Sequence, residues 1–164
     1  MNRILLTSLF ISLSLLAVAA APDKVSKQLE ANYAAITVAF QHNDLNGIAK
    51  FLASDFTAHD IGGVAHLRSE VLKDFKTQMA IVKDVTWVRK VTNLSMSGKT
   101  ALVTVSGKFN GWLMGANGKK QKIELLATAK DSWVDTGAKW LIKSTTVLKR
   151  TVTIDGKPMK LPGK

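Results

Sequence analysis

The sequence predicts an α+β fold in which three N-terminal helices cover one face of a curved, long-stranded antiparallel sheet. Two observations carry this. Up to Lys83 apolar residues recur mainly at helical spacings of three and four, and beyond it four stretches rich in Val, Ile, Thr and Trp are separated by short Gly-containing breaks. Helices first and strands after argue against alternating βαβ units and for a meander joined by hairpins. Composition fits one domain: 164 residues, 46% of them apolar, and no cysteine. That balance excludes a disordered chain, a collagen-like repeat and a disulfide scaffold.

Residues 1–20 are read as a secretory signal peptide. Arg3 makes a positive start, Ile4 to Val18 is apolar apart from hydroxyls, and Ala17-Val18-Ala19-Ala20-Ala21 supplies small residues for cleavage. The mature chain is expected to begin at Ala20 or Ala21 and to be periplasmic or secreted, with no transmembrane segment left after cleavage. With no cysteine to acylate, a lipoprotein is not expected.

In the mature chain, Val25, Leu29, Tyr33, Ile36 and Phe40 mark one stripe of a first helix starting near Asp23. Asn43-Asp44 caps a short second helix carrying Leu45, Ile48, Phe51 and Leu52. From Asp55 the period becomes two, giving a short strand that turns at Gly62-Gly63. Ser69 caps a third helix with Val71, Leu72, Phe75 and Met79 on its inner side. The four long strands run over Val85–Met96, Ala101–Trp112, Lys122–Val134 and Lys139–Ile154, turning at Ser97-Gly98, Gly115-Ala116-Asn117-Gly118, Asp135-Thr136-Gly137 and Asp155-Gly156. Residues 157–164 are expected to form a flexible tail.

Charge is uneven. Residues 21–82 hold six Lys/Arg against seven Asp/Glu, and residues 83–164 hold 16 against five. The sheet half thus carries the whole positive excess, suited to an anionic surface partner. Lysine dominates, which favours solubility over bidentate phosphate recognition and disfavours nucleic acid.

Three segments carry a family resemblance: Asn43-Asp44-Leu45-Asn46-Gly47-Ile48 at the start of the second helix, Asp55 to Gly63 as a first strand, and Trp133 to Ile142 as a last hairpin. Together with the element order they resemble the nuclear transport factor 2-like superfamily, including its SnoaL-like and ketosteroid-isomerase-like members, over about residues 25–156. The resemblance implies a cone closed at one end by helices and a homodimer paired through the sheet. It leaves function open, because the superfamily hosts isomerases, dehydratases, cyclases and carrier-like binders.

Asp60 shares strand parity with Phe56 and Ala58, so a buried face there would turn its carboxylate inward and raise its pKa, as suits proton abstraction beside a carbonyl. By the resemblance it matches the general base of the isomerase-like members. The competing reading is a strand-end aspartate serving the Ile61-Gly62-Gly63 turn. Asp131 continues the face of Ile123, Leu125, Ala127 and Ala129. The resemblance gives an acid near this place, held protonated, the role of hydrogen-bond donor to a developing enolate. The second donor of those enzymes, a tyrosine, falls at Ile36. Tyr33, one turn earlier, is either its substitute or a core ring with a satisfied hydroxyl.

His59 points away from Asp60 on a regular strand, and His59, Asp60 and His66 show no metal-ligand spacing. Trp87, Trp133 and Trp140 read as packing residues, whereas Trp112, between Gly111 and Gly115, reads as a rim for an apolar ligand or as a dimer contact. The sequence thus points to a small apolar molecule bound in the cone by Tyr33, Asp60, Trp112 and Asp131. The alternatives are an isomerase or lyase with Asp60 and Asp131 as catalytic residues, and a non-enzymatic interaction module with a basic sheet surface. No cofactor or metal is expected.

Overall fold

The stripe of Val25, Leu29, Tyr33, Ile36 and Phe40 is buried along its whole length in α1 (Pro22–Gln41). A computed structural model describes residues 22–115 and 118–159; the expected signal peptide and residues 160–164 lie outside them. Asn43 takes a left-handed backbone, and Asp44 caps α2 (Leu45–Ala49) by accepting the Gly47 amide at 2.8 Å. The second helix is one turn shorter than its apolar spacing predicts. Leu52 opens β1 (Leu52–His59), which β2 (Ala65–Leu67) pairs antiparallel before α3 (Arg68–Ile81). The cap of α3 also differs: Leu67 occupies the N-cap, and Glu70 accepts its amide at 2.7 Å, so Ser69 lies inside the helix.

The four long strands are β3 (Val82–Ser97), β4 (Thr100–Met114), β5 (Lys120–Asp135) and β6 (Trp140–Ile154), followed by β7 (Lys157–Pro158). Gly98 and Gly137 take the positive φ that their tight hairpin turns require. The sheet order is β2-β1-β6-β5-β4-β3, with β7 also on β6. The meander is antiparallel as expected, but β1 joins β6 in parallel, so the sheet is mixed. The tail is shorter than the sequence suggests, because β7 pairs with β6 and the Met159 amide donates to the Val152 carbonyl at 2.9 Å. No helix among the described residues is long and apolar enough to cross a membrane.

The helices pack on the concave face. Leu29, Tyr33, Ala101, Val103 and Trp133 form the sealed end of the core. Farther along, Phe40, Phe75, Trp87 and Phe109 pack mostly edge to face, with Phe40 5.8–6.1 Å from each of the other three rings. That aromatic wall opens the space between helices and sheet.

Candidate functional site

Between the sealed end and the aromatic wall lies a cavity of about 570 Å³, in the size range of small-molecule sites. Its walls are mostly aliphatic and aromatic; Gln78, Arg89, Asp131, Thr145 and Arg150 supply the polar and charged side chains. Exposed Ile81, Arg150 and Met159 among the lining mark its mouth.

Asp131 lies at the inner end and is 4% exposed. Its Oδ2 accepts the Tyr33 hydroxyl at 2.6 Å, and Tyr33 Oη accepts the indole N–H of Trp133 at 2.9 Å. The Tyr33 and Trp133 rings meet edge to face at 5.2 Å. The second oxygen, Oδ1, is buried without a hydrogen-bond partner. Burial pushes the Asp131 carboxyl above the usual carboxylate range, against the opposing pull of Tyr33, of Thr145 across the strand pair, and of the Arg89 charge. The Tyr33 hydroxyl is likewise pushed up, first by burial and then by the charge of Asp131, so it stays protonated and donates.

Arg89 comes from β3 and stacks its guanidinium 3.7 Å from the Trp87 ring centroid and 5.0 Å from that of Tyr33. Its Nη2 reaches the Tyr33 carbonyl at 3.4 Å, while Nε is buried without a partner. Burial lowers its pKa to about 10, so it remains a cation at neutral pH.

Tyr33 and Asp131, singled out separately in the sequence, are therefore one unit, but only Asp131 lines the cavity: Tyr33 is fully buried with its hydroxyl engaged by Asp131 and Trp133, so the expected contact of Tyr33 with a ligand is corrected. Two other expectations are corrected. Asp60 does not face the cavity: β1 ends at His59, and the chain turns before the parity of Phe56 and Ala58 reaches it. The Asp60 carboxylate accepts the Val64 amide at 2.9 Å, and its backbone closes the same turn with Val64 and Gly63. It is 38% exposed and 3.8 Å from His66 Nε2, as a turn-stabilising aspartate would be. Trp112 is 39% exposed and lies on the outer face, because the inner positions of β4 there are Gly111 and Leu113. Its register partners are Lys83 and Lys122. His59 lies on β1 between Ala65 and Thr146 and does not line the cavity.

The sequence reading missed Arg89 and Arg150. Arg89 shares parity with Trp87 and Val91, and Arg150 with Val152 and Ile154, and that alternation was the available signal.

No protein-family model matches the chain, and no curated protein matches it. Solved structures do. A candidate scytalone dehydratase from Novosphingobium aromaticivorans superposes with a TM-score of 0.70 at 12% identity, covering 80% of this chain and 89% of the other. A candidate dehydratase of the NTF2-like family from Streptomyces avermitilis gives 0.63 at 18% identity, covering 77% and 97%. A ketosteroid isomerase-like protein from Erwinia carotovora atroseptica gives 0.58 at 14% identity, covering 77% and 98%. The fold is the one these solved NTF2-like and ketosteroid isomerase-like proteins share. Identity this low carries the architecture and leaves the chemistry to the site itself.

Proposed function

We propose that this protein is an exported, SnoaL-like binder of a small, mainly apolar molecule, held in the cone and oriented by Asp131, which Tyr33 holds in place. The observation that carries the reading is the cavity of about 570 Å³, walled mostly by apolar side chains and ending on the buried carboxyl of Asp131. An apolar pocket supplies affinity by burial, and a few convergent polar groups fix orientation. The isomerase or lyase alternative needs a base beside Asp131. Among the described lining residues Asp131 is the only carboxylate and there is no histidine, so the cavity supports binding before turnover.

The test is fluorescence titration with Nile red, a neutral apolar reporter. Saturable enhancement is expected in the wild-type protein and loss of it in Ala129→Phe, where the new ring fills the lining. Asp60→Asn, outside the cavity lining, should bind as wild type does. Absence of enhancement in the wild-type protein would sink the binding reading. If Asp60 were instead a base, Asp60→Asn would abolish turnover of a bound substrate.

Export and pairing belong to the same proposal. Cell fractionation tests the first. For the second, exposed Val88 and Leu126 flank Lys108 in one register row on the outer sheet face, a surface available to a second copy. Light scattering reads the dimer, and loss of it in Val88→Glu would place the contact there.

A further inference from the structure

The cavity has a charge asymmetry that an orienting carboxylate does not explain. Following the register across the sheet, Arg89 on β3 faces Gly107 on β4, Gly107 faces Ala127 on β5, and Ala127 faces Arg150 on β6. All four residues line the cavity. The row therefore carries a guanidinium at each end and almost no side chain between. Neighbouring strands lie about 4.8 Å apart, so the hollow is about three strand spacings wide at the backbone, and inward curvature brings the two arginines toward each other.

The place a Cβ would take on Gly107 lies 3.6 Å from Arg89 Cγ and from Trp87 Nε1, so those two side chains lie over Gly107, which has no positive φ that would require glycine; the row is open on the side of Ala127 and the mouth. Arg89 is fixed from behind by the Trp87 and Tyr33 rings and keeps an unpaired buried N–H. Arg150 is exposed at the mouth. Asp131 answers one of the two charges at most, and its carboxylate already accepts from Tyr33. With Asp131 ionised the lining has an excess of one positive charge, and with it protonated an excess of two. Either state selects against a cation.

We infer that the natural ligand is a small amphiphilic anion, an organic monocarboxylate whose apolar body fills the aromatic-walled cone and whose carboxylate lies in the Arg89–Gly107–Ala127–Arg150 row. The inference rests on the binding function proposed above and names its ligand class. A carboxylate suits the planar donor fork of arginine, and one negative charge matches the excess left when Asp131 is ionised. Arg150 at the mouth meets the anion first, and Arg89 holds it at the inner end of the row.

Displacement of Nile red by three probes of one chain length separates the outcomes: decanoate, decanol and decylammonium. Decanoate should displace the reporter at about a tenth of the decanol concentration, as expected when a charged group gains arginine hydrogen bonds. Arg150→Gln, an exposed change that leaves the core intact, should erase that advantage and leave decanol unchanged. Equal displacement by decanoate and decanol, or preference for decylammonium, would overturn the anion inference while the binding function stands. Failure of Nile red to bind at all would overturn both.

Discussion

At the scale of single residues, Asp131 and Tyr33 make the sharpest predictions. Burial raises the folded-state pKa of Asp131 above its unfolded value. The native protein then holds a proton that the unfolded chain has released, so this group's contribution is most favourable below the ordinary carboxylate range of about pH 4. It is lost as pH rises through that range to the raised value, and levels off beyond it. Asp131→Asn removes the titration. Its stability relative to wild type should therefore improve as pH climbs from about 4 to 7, read as the difference in urea midpoints. Tyr33→Phe strips the donor from Asp131 and the acceptor from the Trp133 indole at once. Each buried group left unpaired costs about 1–3 kcal/mol, so a loss of about 2–4 kcal/mol is expected in denaturant titration. Both residues were legible in the sequence, one from a helical stripe and one from strand parity. Their contact joins positions 98 residues apart, which no local pattern encodes.

At the scale of elements, the helical hairpin depends on a local device. Asp44 caps α2 through the Gly47 amide, and a Cβ at Gly47 would fall 2.4 Å from Asp44 Oδ2 and 2.9 Å from Ala39 Cβ. Asp44→Ala should cost about 1 kcal/mol, the usual worth of an N-cap. Gly47→Ala should cost more, because it displaces the cap and presses α2 away from α1; thermal melts of the two variants give the order. The Asp44 cap and the helix stripes were readable because each is set by neighbours in sequence, whereas strand ends were not: β1 begins at Leu52 and β3 at Val82, each three residues before its expected start. The face presented by β6 was not. Its pairing with β5 is irregular between Thr128 and Ala129 and again between Ser132 and Trp133. Thr145 and Val147 line the cavity on one side of the first irregularity, and Arg150, Val152 and Ile154 on the other, so parity changes partway along the strand. A regular alternation read from either end misplaces the other half.

At the scale of the molecule, the positive excess of the second half divides by side-chain type. Lys90, Lys108, Lys130 and Lys149 are exposed, and three of them sit on register rows of β3 to β5 that alternate with the cavity-lining rows. The two arginines of that half, Arg89 and Arg150, both line the cavity. The lysine charge is hydrated and unshaped, so association with anionic vesicles is expected to be salt-labile. Co-sedimentation should fall steeply between about 0.01 M and 0.15 M salt, as the screening length shortens from about 30 Å to about 8 Å. Retention at the higher salt would instead indicate a built site on the outer face.

The sequence by itself determined the element order, the helical stripe of α1, the hairpin positions and the two residues that form the buried polar pair. These follow from spacing, caps and turn chemistry, which act over a few residues. Only the tertiary structure decided that β1 joins β6 in parallel, that Asp60 serves its turn and Trp112 faces outward, and that two arginines 61 positions apart end one row across the cavity. Those outcomes depend on where strands end and how their registers shift. One residue of slip in a strand exchanges inside for outside, and it is fixed by packing across the sheet.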